Sequence, residues 1–172
     1  MNSRWKKKIP PILLCAALLL AAGAPAACRA AESGEFKGTW VANGTRTIFP
    51  FGGDRQVYTF EVSGHVNLET TLGRKKDYWA RCVGLSDSVT GSVGRCVWKD
   101  LDGPEIYLTL HSDRLQQESR VTGAIVGGTG PLAGIGGEIS FVWSSVTFLA
   151  EAEGVTSMTG QTLDLRGAYR IP

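Results

Sequence analysis

The chain has 172 residues and a formal net charge of +2, which suits one domain with a processed end. Arg4, Lys6, Lys7 and Lys8 stand before any Asp or Glu, so removing residues 1–26 turns 18 basic and 16 acidic groups into 14 and 16, a net charge of −2. The basicity therefore belongs to the start of the chain, no later cluster exceeds "RKK" at 74–76, and a nucleic-acid partner is excluded on charge.

Residues 1–30 read as an export signal. A basic start precedes an apolar stretch from Ile12 to Ala22, and the small residues "AGAPAACRA" follow at 22–30, as a signal peptidase requires. The apolar stretch is about half the ~20 residues of a membrane-spanning helix. Residues 31–172 then form the exported domain, periplasmic or secreted. A second reading makes Cys28 an acylated residue, because "PAAC" at 25–28 resembles a lipoprotein signal with Pro25 in place of the usual Leu. In that case the membrane is met only through a lipid anchor on Cys28.

From Phe36 onward the apolar residues repeat every second position. In "RQVYTFEVSGHVNLET", 55–70, Tyr58, Phe60, Val62, Val66 and Leu68 share one parity, while Glu61, Ser63, His65, Asn67 and Glu69 take the other. This predicts a long half-buried strand in which Gly64 permits a bend or a close backbone approach. Ile139, Phe141 and Trp143 alternate in the same way, as do Leu163, Leu165, Tyr169 and Ile171. Shorter runs lie near 36–42, 77–84, 93–99, 104–111 and 119–126, separated by turn signals at Asn43-Gly44, Gly52-Gly53, Asp102-Gly103 and Glu153-Gly154. No window has the 3.6-residue period of an amphipathic helix. Eight or nine strands with one apolar face each, in roughly 140 residues, imply a sheet that closes on itself and so loses its edges. The predicted fold is a single all-β, closed, antiparallel eight-stranded barrel.

Cys82 and Cys96 flank a Ser/Gly/Thr-rich turn. A hairpin centred on residue 89 sets them directly opposite, with Ala80 opposite Trp98. Opposed residues in a non-hydrogen-bonded pair have the separation that a disulfide tolerates, and an exported chain meets an oxidising compartment. Two buried thiols are the alternative.

"AIVGGTGPLAGIGGEISFVW", 124–143, packs six glycines between two apolar runs. A phosphate loop needs glycines that aim backbone N–H groups at an anion, followed by a helix. Here Gly128, Gly130 and Gly134 fit neither known spacing, and "EISFVW" alternates like a strand. The glycines are read as a chain reversal that uses positive φ.

The segment "VGGTGPLAGIGGE" at 126–138 resembles the glycine loop of allene oxide cyclase/dirigent-like eight-stranded barrels, and "GRCVWKDLDGPEIYL" at 94–108 is similar to the middle strands of bacterial barrels of that type. The resemblance spans about 37–171 and implies a fold. No residue here matches the cyclase's catalytic positions or the acidic residues of dirigent proteins, so no catalytic residue is assigned. "GTW" at 38–40 also resembles the Gly-x-Trp signature of lipocalins, which implies Trp40 closing one barrel end under Arg166 or Arg170. Both families share the eight-stranded barrel architecture, and fold does not settle function.

Residues that carry chemistry are few. His65 and His111 fall on the polar, outward parity, no Cys/His spacing suits a metal, and "DLDGPE" at 100–105 lacks the later Glu of a calcium loop. No Gly-x-Ser-x-Gly elbow exists and no inward pair of carboxylates can be assigned, so neither a metal nor a cofactor is expected. What remains is the inward set. Tyr58, Phe60, Tyr78, Trp98, Phe141, Trp143 and Tyr169 are its aromatic members and the candidate ligand wall, with Val66, Leu68 and Leu108 between them. Such an interior is either filled by its own side chains or holds one small ligand. The expected function is non-enzymatic binding of a small hydrophobic molecule. The alternatives are a cyclase- or dirigent-like catalyst that steers a reactive intermediate, and a structural or interaction barrel of the cell envelope without a ligand.

Overall fold

The structure, a computed structural model, describes residues 31–101, 103–113, 118–150 and 154–172. The expected export signal at 1–30, with Cys28 and its lipidation, lies outside the described residues. The eight strands are β1 Glu32–Pro50, β2 Gln56–Thr70, β3 Lys75–Asp87, β4 Gly91–Asp100, β5 Glu105–Ser112, β6 Glu118–Gly128, β7 Gly136–Ala150 and β8 Val155–Ile171. Each pairs antiparallel with its neighbours in sequence, and β8 returns to β1, so the sheet closes as an eight-stranded barrel. Closure leaves no strand edge exposed. Among the described residues no helix is long and apolar enough to cross a membrane.

Side-chain alternation builds the interior. Along β2, Tyr58, Val62, Val66 and Leu68 are buried while Glu61, His65, Asn67 and Glu69 face solvent. Strands this long must coil around the barrel, and small inward residues allow it. A Cβ at Gly64 would fall on the carbonyl oxygen of Val41, and one at Gly44 on that of Glu61. Strands β1 and β2 thus approach where a side chain has no room.

Gly44 corrects one sequence expectation. Asn43 and Gly44 form no turn: they sit inside β1, opposite Ser63 and Val62. An Asn-Gly hairpin turn needs positive φ, which Gly44 does not adopt. The reversal comes later, at Gly52 and Gly53, with φ of 91° and 58°.

A second correction lies in β8. Gly38 pairs with Leu165 but Val41 with Gln161, and Ser140 pairs with Arg166 but Val142 with Leu163. Strand β8 therefore carries one extra residue against both neighbours, a β-bulge centred on Asp164, whose φ is 53°. The bulge switches parity. Thr162 faces inward before it and Leu165 after it, and Leu163, expected to share the face of Leu165, is exposed. The Thr162 hydroxyl accepts the backbone N–H of Trp40 at 2.8 Å, so the irregular ladder does not leave that buried donor unpaired.

The two barrel ends differ. The lower end carries the β2–β3, β4–β5 and β6–β7 connections, and its half of the lumen is packed with Phe36, Leu68, Tyr78, Trp98, Ile106, Ile139, Leu165 and Ile171. The glycine segment caps it. Gly130 and Gly134 take φ of 55° and 78° around a single 3-10 turn, Gly130–Leu132. Leu132 and Ile135 pack onto the core from this corner, and Thr129 ties it to β5 by two hydrogen bonds with the backbone of Glu105, both 2.9 Å. Strand β7 follows rather than a helix, so the segment is the chain reversal its spacing predicts.

Candidate functional site

The upper half of the lumen, toward the β1–β2, β3–β4, β5–β6 and β7–β8 connections, holds a cavity of about 400 Å³. Its floor is apolar, built from Trp40, Phe60, Val62, Phe141, Trp143 and the bonded Cys82 and Cys96, with Leu110, Val121 and Met158 on the walls. Nearer the upper rim the lining turns polar, with Arg46, Gln56, Ser86, Ser92, Ser112, Ser119 and Ser145. Strand position explains the change. Ser86, Ser92, Ser112 and Ser119 occupy the inward positions nearest the upper ends of their strands, whereas Trp40, Val62, Phe141 and Trp143 sit further down.

Glycines keep the space open. A Cβ at Gly84 would collide with the Phe60 ring, and one at Gly160 would collide with the Trp143 indole. Both rings therefore lie against backbone on the wall, covering glycine as aromatic side chains do in curved sheets, instead of projecting across the lumen. Trp40 joins them, its ring centroid 5.1 Å from that of Trp143 and 6.1 Å, edge-on, from that of Phe141. Such aromatic contacts add about 0.5–1.5 kcal/mol each beyond area burial, so the floor is well ordered without a ligand.

Cys82 and Cys96 form the disulfide expected from the hairpin register. They pair directly, Cα to Cα 4.1 Å, with Ala80 opposite Trp98. Both are buried on the inward face, so the bond staples β3 to β4 where the packed half meets the cavity.

Of the aromatic residues singled out in the sequence, Tyr58, Phe60, Phe141 and Trp143 line the cavity. Tyr78, Trp98 and Tyr169 face inward in the packed half. Tyr78 and Trp98 pack with centroids 6.1 Å apart, and the Tyr169 hydroxyl donates to Glu32 at 3.1 Å. Burial, followed by the negative charge of Asp100 and by Tyr169, pushes the Tyr78 phenol up to about 12.

Trp40, Leu110, Met158 and the rim serines line the cavity without having been placed in the predicted wall, and so does Arg46, the one guanidinium among them. It shares the even parity of Phe36, Trp40 and Ala42, but a turn assumed at Asn43-Gly44 interrupts the count. Carried through Gly44, the alternation places Arg46 inside. Its guanidinium lies over the Tyr58 ring, 5.1 Å from the centroid, and its Nε is buried without a hydrogen-bond partner among the described residues.

Little of the remaining chemistry reaches the lumen. His65 meets Trp79 edge-on at 4.9 Å on the outer surface. His111 touches the cavity at its rim but is largely exposed, beside Asp113 at 3.1 Å. Asp100 binds Lys76 at 3.1 Å and begins the Asp-Gly turn, its carbonyl accepting the N–H of Gly103. Arg166 and Arg170 are exposed, Arg166 facing Asp164 at 3.4 Å, so Trp40 is covered by aromatic rings rather than by a cation. Among the described residues no group of three or more His, Cys, Asp or Glu is placed to hold a metal. No protein-family model, no curated protein and no solved structure matches the chain.

Proposed function

We propose that the protein binds one small, mainly apolar molecule in the upper half of its barrel. The observation that carries this reading is the unequal filling of the lumen. The inward side chains from Phe36 to Ile171 fill the lower half, while the upper half keeps about 400 Å³ among inward-facing residues, within the range of small-molecule sites. Binding gains about 25 cal/mol for each Å² of apolar surface taken from water, against several kcal/mol of association cost. Walls already held by glycine-seated rings and a disulfide lower that cost, since little is left to order. The disulfide also suits an exported protein in an oxidising compartment.

Native protein purified without detergent and extracted into organic solvent tests the reading by mass spectrometry. One class of small molecule is expected at a constant ratio to protein, recovered chemically unchanged after incubation. Extracts matching a buffer blank, together with no uptake of added apolar molecules, contradict it. Conversion of the recovered molecule by the protein favours the catalytic alternative.

A further inference from the structure

We infer that the ligand is an amphiphilic anion, an oxyanion head such as a carboxylate on an apolar body, and that Arg46 binds the head. The inference rests on the cavity reading and names the ligand class. Its basis is the mismatch of polar groups in the lining. Among the described residues Arg46 is the only Lys, Arg, Asp or Glu lining the cavity, and no described carboxylate forms an ion pair with it. Asp87, a buried acid near the same end, is already engaged by Arg55 and by the backbone N–H groups of Val89 and Thr90.

Among the described residues the buried side-chain polar atoms without a partner are Trp40 Nε1, Arg46 Nε and Trp98 Nε1. All three are donors, and two belong to cavity-lining residues. A guanidinium is permanently charged and presents a planar fork of donors that matches an oxyanion. Stacked on Tyr58 at 5.1 Å, it is held on the wall rather than extended into water. The rim hydroxyls, among them the Ser86–Ser92 pair at 2.7 Å, donate to the same kind of head. The apolar floor beneath takes the body. Depth therefore sets polarity, with the head at the level of Arg46 and the tail over Trp40 and Trp143.

The test compares decanoate with 1-decanol, which share a chain and differ in head charge, by calorimetric titration of the native protein and of Arg46→Gln and Arg46→Lys. Decanoate is expected to bind about tenfold or more tighter than decanol, the scale of one charge-assisted hydrogen bond. Arg46→Gln is expected to abolish that preference, and Arg46→Lys to restore part of it. Equal binding of the two probes, or a preference that survives Arg46→Gln, overturns the inference and leaves the cavity reading standing. Binding of neither probe overturns both. Circular dichroism of each variant confirms that the barrel is intact, so a folding defect is not counted as a binding defect.

Discussion

The indole of Trp143 on β7 lies against Gly160 on β8, where a Cβ would overlap the ring carbons. A position without a side chain on one strand thus fixes an aromatic wall on the next, and the cavity owes its width to that pairing. Gly160→Ala is expected to push the indole into the lumen at a cost of about 1–3 kcal/mol, as overpacking does elsewhere. Urea denaturation of Gly160→Ala, Trp143→Leu and the double variant measures it. Removing the indole should relieve most of the cost, giving a coupling energy of the same size. Additive effects of the two changes would show that the ring does not rest on Gly160.

The disulfide carries its own expectation. Cys82 and Cys96 are separated by 14 positions in the sequence, and closing such a loop stabilises by about 3 kcal/mol in the chain-entropy model. Cys82→Ala/Cys96→Ala should lose stability on that scale. Intact-mass analysis of unreduced, unfolded protein should show neither thiol alkylated; alkylation at both positions rejects the bond.

Acid stability should depend on Asp87. Hydrogen bonds from Arg55 and from the Val89 N–H hold its carboxyl well below the usual carboxylate range. A depressed folded-state value makes the contribution complete above the unfolded carboxylate value, about 3.9, and loses it as pH falls below that toward the folded value. The stability gap between native protein and Asp87→Asn should therefore be constant above about pH 5 and shrink toward about pH 2. A gap that does not change over this window removes Asp87 from the account.

At the other extreme of pH, Tyr78 should matter. Its phenol is pushed from 10.0 up to about 12, first by burial. A raised value means stability that is full below the unfolded pKa and lost as pH rises through the folded one. The native protein should weaken between pH 10 and about 12, more steeply than Tyr78→Phe does. Identical alkaline profiles for the two proteins would contradict this placement.

The barrel and its disulfide were legible because both follow from period two. Once Tyr58, Phe60 and Val62 face inward, the register of a hairpin centred on residue 89 leaves Cys82 no partner but Cys96. What was not legible came from residues whose local meaning is ambiguous. Asn43-Gly44 has turn chemistry but lies within β1, Asn43 outward and Gly44 at a close strand approach, and reading it as a turn hid Arg46. The parity break at Asp164 needs a non-glycine residue at φ 53°, which no pattern announces. The division of the interior into packed and hollow halves depends on which aromatic rings lie over glycines. That is a cross-strand property. Trp98 and Trp143 have the same alternation in sequence, yet one fills the lower half and the other lines the cavity.

That difference supplies the most direct measurement of the central claim. Tryptophan emission is followed while decanoate is titrated into the native protein and into Trp40→Phe, Trp143→Phe and Trp98→Phe. A ligand in the upper half stands over Trp40 and Trp143 and is separated by the packed core from Trp98. Saturable quenching is expected in the native protein and in Trp98→Phe, and its amplitude should fall in Trp143→Phe and in Trp40→Phe, the two losses together accounting for most of it. Quenching that disappears with Trp98→Phe and persists without Trp40 or Trp143 would contradict a ligand cavity in the upper half of the barrel.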